Sequence, residues 1–137
     1  LVVIGSGGAV LSPANKQALL ERVPHVMIVD GYGASETGIQ GSTATMAGTE
    51  IPKAFRMDAS SVVLDETLTR RLRPDESEIG WVARAGDVPL GYLDDEAKTR
   101  RTYPTVEGVR YSVPGDRGCY APDGSIVLFG RDSVCIN

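Results

Sequence analysis

The sequence predicts an α+β chain in which the βαβ end of an α/β subdomain is followed by a β-rich subdomain, and three observations lead there. Two apolar runs, residues 1–4 and 26–29, bracket a helical stripe that opens on Ser12-Pro13. Beyond about Ile39 short strands separated by Gly, Pro, Asp and Ser replace that pattern. Pro122-Asp123-Gly124 then sits between two strand-like runs, as a hairpin turn does.

In chain order, residues 1–4 read as a strand buried on both faces. Ser12 is an N-cap and Pro13 takes the first helical position, where its missing N–H does no harm. Ala14, Ala18, Leu19 and Val23 form a partial stripe, and Pro24 ends the helix. Residues 26–29 are a second apolar run, so residues 1–30 make a βαβ unit with parallel strands. The glycine-rich turns at 5–9 and 31–38 then leave the ends of neighbouring strands, where open sheets place ligands. Further on, residues 61–64 and 78–84 read as strands, with Trp81 as a core anchor. Residues 94–102 read as a short helix capped by Asp94, with Glu96 and Arg100 spaced for a surface pair.

Composition narrows the class. Of 137 residues, 42% are hydrophobic and 23% charged, which excludes disordered and fibrous classes. A chain of this size buries roughly two-thirds of its unfolded surface. The net charge of −4 comes from interleaved signs, such as Arg70, Arg71 and Arg73 beside Asp75, Glu76 and Glu78, so no nucleic-acid partner is expected. The triplet 94–96 reads as a solvated helix start rather than a metal site. Cys119 and Cys135 fit no disulfide framework and are expected to be reduced, in a cytoplasmic protein. His25 has no visible catalytic partner. No apolar run is long enough to cross a bilayer. The chain starts inside a strand, at Leu1 rather than Met, and is expected to be a piece of a larger protein.

Two constellations could carry chemistry. Gly5-Ser6-Gly7 after a strand, with Asp30 closing the next, resembles part of a dinucleotide fingerprint. Against this, Val10 stands where its third glycine belongs and Pro13 would fall inside its helix. The other reading makes the same loops an ATP cradle. In residues 31–38 the glycines allow close backbone approach, the hydroxyls of Ser35 and Thr37 can bond phosphate oxygens, Glu36 can hold magnesium and Tyr32 can pack on a flat base. The residues equally allow a turn followed by a Ser35 N-cap, with Glu36 in the first turn of a helix.

Tyr32-Gly33-Ala34-Ser35-Glu36 is similar to the Tyr-Gly-x-(Ser/Thr)-Glu signature of the adenylate-forming superfamily: acyl-CoA synthetases, luciferases and peptide-synthetase adenylation domains. The resemblance implies that Ser35 contacts phosphate and Glu36 binds Mg2+, these two forming the catalytic pair. It places Tyr32 beside adenine and Gly33 at the floor of the acyl pocket, with Asp30 and Gly31 alongside. Ser6, Gly7, Gly8, Ala9 and Val10 resemble the segment against the other side of the adenine. Gly115-Asp116 and Gly130-Arg131 resemble the pair that grips the ribose hydroxyls. Glu78-Ile79-Gly80 and Gly91-Tyr92 match further landmarks. Pro114 departs from the usual Thr or Ser, and the form of residues 111–117 is most like actinobacterial fatty-acyl or steroid-side-chain CoA ligases.

The family implies a carboxylic acid, ATP and CoA as substrates, joined through an acyl-adenylate. It divides the chain into residues 1–38 at the end of the α/β nucleotide-binding subdomain, 39–131 as a distorted β-barrel subdomain, and 132–137 as a hinge. A phosphate loop is expected before residue 1 and a lysine-bearing lid after residue 137, so the chain itself is expected not to adenylate. Two alternatives stay open at this point: an NAD(P)-dependent oxidoreductase fragment and a non-catalytic nucleotide-binding module.

Overall fold

The computed structural model describes residues 2–9 and 11–131. Val10, and with it the hinge expected at residues 132–137, lies outside the described residues.

The βαβ unit forms as the sequence implies. Strand β1 (Val2–Ser6) runs parallel to β2 (Val26–Ala34), with Val2 opposite Val26 and Ser6 opposite Asp30. Between them α1 (Pro13–Arg22) starts on Ser12, whose hydroxyl accepts from Asn15 N–H at 3.2 Å. Leu20, Val26 and Ile28 bury themselves together, joined by Ile4, Leu11, Leu19 and Val23. One expectation fails here. Val2 and Val3 are 56% and 54% exposed rather than buried on both faces, and within this chain β1 pairs on one side only, with β2.

The glycine-rich segment 31–38 also differs from expectation. β2 runs on to Ala34 and turns straight into antiparallel β3 (Gly38–Met46), so no helix follows Ser35 and its N-cap reading is overturned. The turn closes on Thr37, whose hydroxyl accepts from Ala34 N–H (2.9 Å) and donates to the Gly38 carbonyl (2.9 Å). That use withdraws the buried Thr37 from the phosphate role the residues suggested. A bulge after Tyr32 brings the strands so close that a Cβ on Gly33 would meet the Gly38 carbonyl oxygen at 2.1 Å. β4 (Arg56–Met57) completes the first sheet, in the order β1-β2-β3-β4. The βαβ unit and the start of the strand-rich part therefore share one sheet across residue 38.

The second sheet is built on β5 (Ser61–Leu64) and β6 (Gly80–Ala85), which pair antiparallel. The other edge of β6 divides: Gly80 and Trp81 pair with β9 (Asp116–Tyr120), while Arg84 and Ala85 pair with β8 (Val109–Ser112). β7 (Thr105–Val106) extends the β8 side and β10 (Ile126–Arg131) the β9 side. Two cores follow from strand alternation, Val62, Leu64 and Ala83 facing Tyr111 and Val113 on one side, Val63 and Val82 facing Tyr120 and Ile126 on the other. The expected turn at 122–124 joins β9 to β10, with Gly124 at φ 80°.

Two smaller corrections concern local chemistry. The helix α2 (Glu96–Thr102) is capped by Asp95, which accepts from Lys98 N–H at 2.9 Å, while Asp94 sits at φ 55° and turns the chain into it. Trp81 stands at the rim of its core, its Nε1 donating to the Glu66 carbonyl and its ring under the Arg117 guanidinium at 4.3 Å.

Candidate functional site

The ends of β1 and β2 open on a cleft of about 1520 Å³ whose walls come from both sheets. The glycine turn at 6–9, the strand end and turn at 30–36, the segment 49–55 and the ends of β9 and β10 all border it. The site residues implied by the resemblance lie on this cleft where the structure describes them: Ser6, Gly7, Gly8, Ala9, Asp30, Gly31, Tyr32, Gly33, Ser35, Glu36, Asp116 and Arg131; Thr37, the second hydroxyl suggested for phosphate, does not line it. The two glycine turns touch side by side, a Cβ on Gly7 standing 3.7 Å from the Gly31 carbonyl oxygen.

Asp116 opens β9 and Arg131 ends β10, directly opposite each other. The guanidinium grips the carboxylate as a fork, Nε to Oδ1 at 3.0 Å and Nη2 to Oδ2 at 3.2 Å. Tyr32 adds its phenol O–H to Oδ2 at 3.0 Å, so the tyrosine expected beside a base is also tied to the acid expected at the ribose. Burial and the neighbouring Asp116 charge push the Tyr32 phenol well above its ordinary range, and the bond to Asp116 pushes the Arg131 guanidinium up. Tyr32 also packs on Phe55, ring centroids 5.7 Å apart.

Glu36 projects from the hairpin turn. Its Oε1 accepts from the Tyr92 O–H at 2.5 Å, the main reason its carboxyl is held below the usual range. The turn backbone is fixed from the second sheet: Ser112 Oγ donates to the Glu36 carbonyl (2.9 Å), and Arg84 Nη1 to those of Thr37 (2.9 Å) and Ile39 (3.0 Å). Ser35 is exposed at the tip.

Asp30 is buried and bound, its Oδ2 accepting from Lys16 Nζ at 2.7 Å and from Thr43 Oγ1 at 3.3 Å. It does not end a strand facing a ribose, since β2 continues past it, and α1 begins at Pro13 rather than in the glycine turn. Both features depart from a dinucleotide fold.

Sequence reasoning missed several cleft residues. Lys16, Ile51, Lys53 and Phe55 line it, yet no spacing marked the segment 49–55. Phe55 arrives there because its backbone exchanges two hydrogen bonds with Ile126, at 2.8 and 3.0 Å. Tyr92 was visible only as a landmark without a task.

Comparison with known proteins bears on the family and the fold. The chain is 47% identical over 137 residues to the medium-chain acyl-CoA ligase Mig of Mycobacterium avium. It is 38% identical over 139 residues to the 3-oxocholest-4-en-26-oate–CoA ligase of Rhodococcus rhodochrous. In both cases all of this chain is matched, and it spans about a quarter (25%) of the relative's length. Among solved structures it resembles PA1221, an NRPS protein containing adenylation and PCP domains, with TM-score 0.71, 27% identity and coverage of 96% of this chain and 28% of that one. The Vibrio cholerae adenylation domain AlmE, solved with glycyl-adenosine-5'-phosphate, shares the fold at TM-score 0.76 and 19% identity, over 96% and 26%. No protein-family model matches the chain.

In sequence the chain is similar to acyl-CoA ligases and in fold to adenylation domains, which is consistent with a fragment of the adenylate-forming, AMP-binding superfamily. Its match to the acyl-CoA ligases falls on one stretch of them, about a quarter (25%) of their length. Among the described residues no helix is long and apolar enough to cross a membrane.

Proposed function

We propose that the cleft holds the nucleoside and magnesium-bound phosphates of ATP for a CoA ligase that activates a fatty or steroid side-chain acid. One observation carries this reading: a braced carboxylate, Asp116, and a second, Glu36, border one cleft beside two glycine turns. Asp116 accepts from the ribose hydroxyls, with Arg131 fixing its plane. Tyr32, Gly33, Asp30 and Gly31 flank the base from one side and Ser6, Gly7, Gly8 and Ala9 from the other. Ser35 bonds phosphate.

The cleft fits magnesium delivered with phosphates rather than a self-standing ion. Glu36 is one half-buried carboxylate, and among the described residues no group of three or more His, Cys, Asp and Glu could hold a metal. When bound, the ion would neutralise phosphate charge; the chain's part is to present one ionised oxygen to it. The whole enzyme would join acid and ATP into an acyl-adenylate and pass the acyl group to CoA, working by placement and charge neutralisation. In this reading residues 1–38 and 39–131 are its nucleotide-binding and strand-rich parts, and 132–137 the approach to its lid.

Titration calorimetry tests the assignment. Asp116→Ala is expected to weaken ATP binding roughly 10- to 100-fold, the loss of hydrogen bonds to a charged group. Unchanged affinity would remove Asp116 from the site. The purified 137-residue chain is expected to bind nucleotide weakly at best and not to exchange pyrophosphate into ATP. Exchange by the chain alone would overturn that division of labour.

A further inference from the structure

Gly91-Tyr92 is a landmark in the sequence, and the fold gives the pair a task. Its loop is pinned by Arg110, which donates to the carbonyls of Pro89 (2.7 Å) and Leu90 (2.8 Å). Tyr92 N–H donates to Thr99 Oγ1 at 2.8 Å, seating the loop against α2. A Cβ on Gly91 would stand 2.6 Å from Thr99 Cγ2 and 2.8 Å from Oγ1, so this close approach needs glycine. The Tyr92 ring is then braced by Tyr103, centroids 5.8 Å apart, and by Lys98 Nζ, 3.8 Å from its centroid.

A braced phenol meets Glu36 Oε1 at 2.5 Å across 56 residues of sequence. The backbone of the Glu36 turn does not need this bond, since Ser112 and Arg84 already hold three of its carbonyls. What Tyr92 fixes is the carboxylate. Among the described residues it is the one side chain that hydrogen-bonds this group, and it does so at Oε1, beside the backbone N–H of Glu36 itself. We propose that Tyr92 is a positioning residue for Glu36, holding Oε1 so that Oε2 is presented to a magnesium–nucleotide complex. Gly91 serves the same end by letting the loop seat deeply enough. This inference rests on the reading of Glu36 as a cation ligand.

A double-mutant cycle separates the two. ATP is titrated into the chain with and without magnesium, for the parent sequence, Tyr92→Phe, Glu36→Gln and the double variant, each with a thermal melt. Tyr92→Phe keeps the ring and is expected to lose about tenfold of the magnesium-dependent gain in affinity, with metal-free affinity and melting temperature unchanged. Glu36→Gln is expected to lose the gain, and adding Tyr92→Phe to it to cost nothing more. If Glu36→Gln loses the gain while Tyr92→Phe keeps it, the positioning role is overturned and the reading of Glu36 stands. If magnesium adds nothing, or Glu36→Gln keeps the gain, both fall. Equal losses with and without metal, accompanied by a lower melting temperature, make Tyr92 a packing residue and overturn the inference.

Discussion

At Asp116 both carboxylate oxygens already hold donors, Oδ1 from Arg131 and Oδ2 from Arg131 and Tyr32. Such charge-assisted bonds fix the plane of the carboxylate before any ligand arrives, which in the proposed reading would lower the cost of capturing a pair of vicinal hydroxyls. Because burial and Asp116 keep the Tyr32 phenol protonated far above neutral pH, it remains a donor wherever the protein is folded. Tyr32→Phe keeps the contact with Phe55 and removes only the tether. It is expected to weaken ATP binding about three- to tenfold, and 2′,3′-dideoxy-ATP binding less, in competition titrations. Equal losses for both nucleotides would place the effect in the ring instead. The sequence made the Asp116–Arg131 pair legible, through two short motifs joined by a readable hairpin. It could not show the Tyr32 tether, which spans 84 residues and leaves no local pattern.

Elements whose signals are local were legible, and those built from polar inward faces were not. The Ser12-Pro13 start of α1 and the turn at 122–124 follow from residues within a few positions. β3 escaped notice because its inward positions are Gln40, Thr43 and Thr45, all buried, where apolar residues would mark a strand. Adjacent aspartates misplaced the α2 cap by one residue, since either satisfies the cap preference and only the backbone at Asp94 decides. The loop after β5 shows how much one buried acid can organise. Asp65 accepts from the hydroxyls of Thr67 and Thr69 and from the backbone N–H groups of Thr69 and Arg70, and it permits Leu68 at φ 55°. Burial alone would raise its pKa, but those hydrogen bonds prevail and hold it well below the usual carboxylate range. The stability it contributes is therefore complete above the unfolded value near about pH 4 and is lost as pH falls toward the folded value. Asp65→Ala is expected to cost about 2–4 kcal/mol at pH 7 and less at pH 3, measured by chemical denaturation. A cost independent of pH would refer it to packing.

The molecule works as two sheets facing one cleft, and a few polar side chains join them. Arg84 of β6 reaches the Thr37 and Ile39 carbonyls and pairs with Asp58 at 3.3 Å. Gln40 reaches back to Ser61 Oγ (3.2 Å) and the Ala83 carbonyl (3.3 Å). Arg84→Ala is expected to speed hydrogen exchange in the turn at 35–39 by tenfold or more, about 1.4 kcal/mol of local opening, while β5 and β6 keep their protection. Uniform acceleration would make Arg84 a global stabiliser. This junction was invisible in sequence because it is built from single long side chains, whereas the α+β class was visible in strand and helix patterns. On the first sheet, Lys16 and Asp30 face each other with side chains only 7% and 8% exposed. Losing either charge alone leaves the other largely buried without its partner, at about 3–5 kcal/mol. A change at one of these two positions is therefore expected to be tolerated better when the other changes with it, so that the contact of α1 with β2 constrains the two residues jointly.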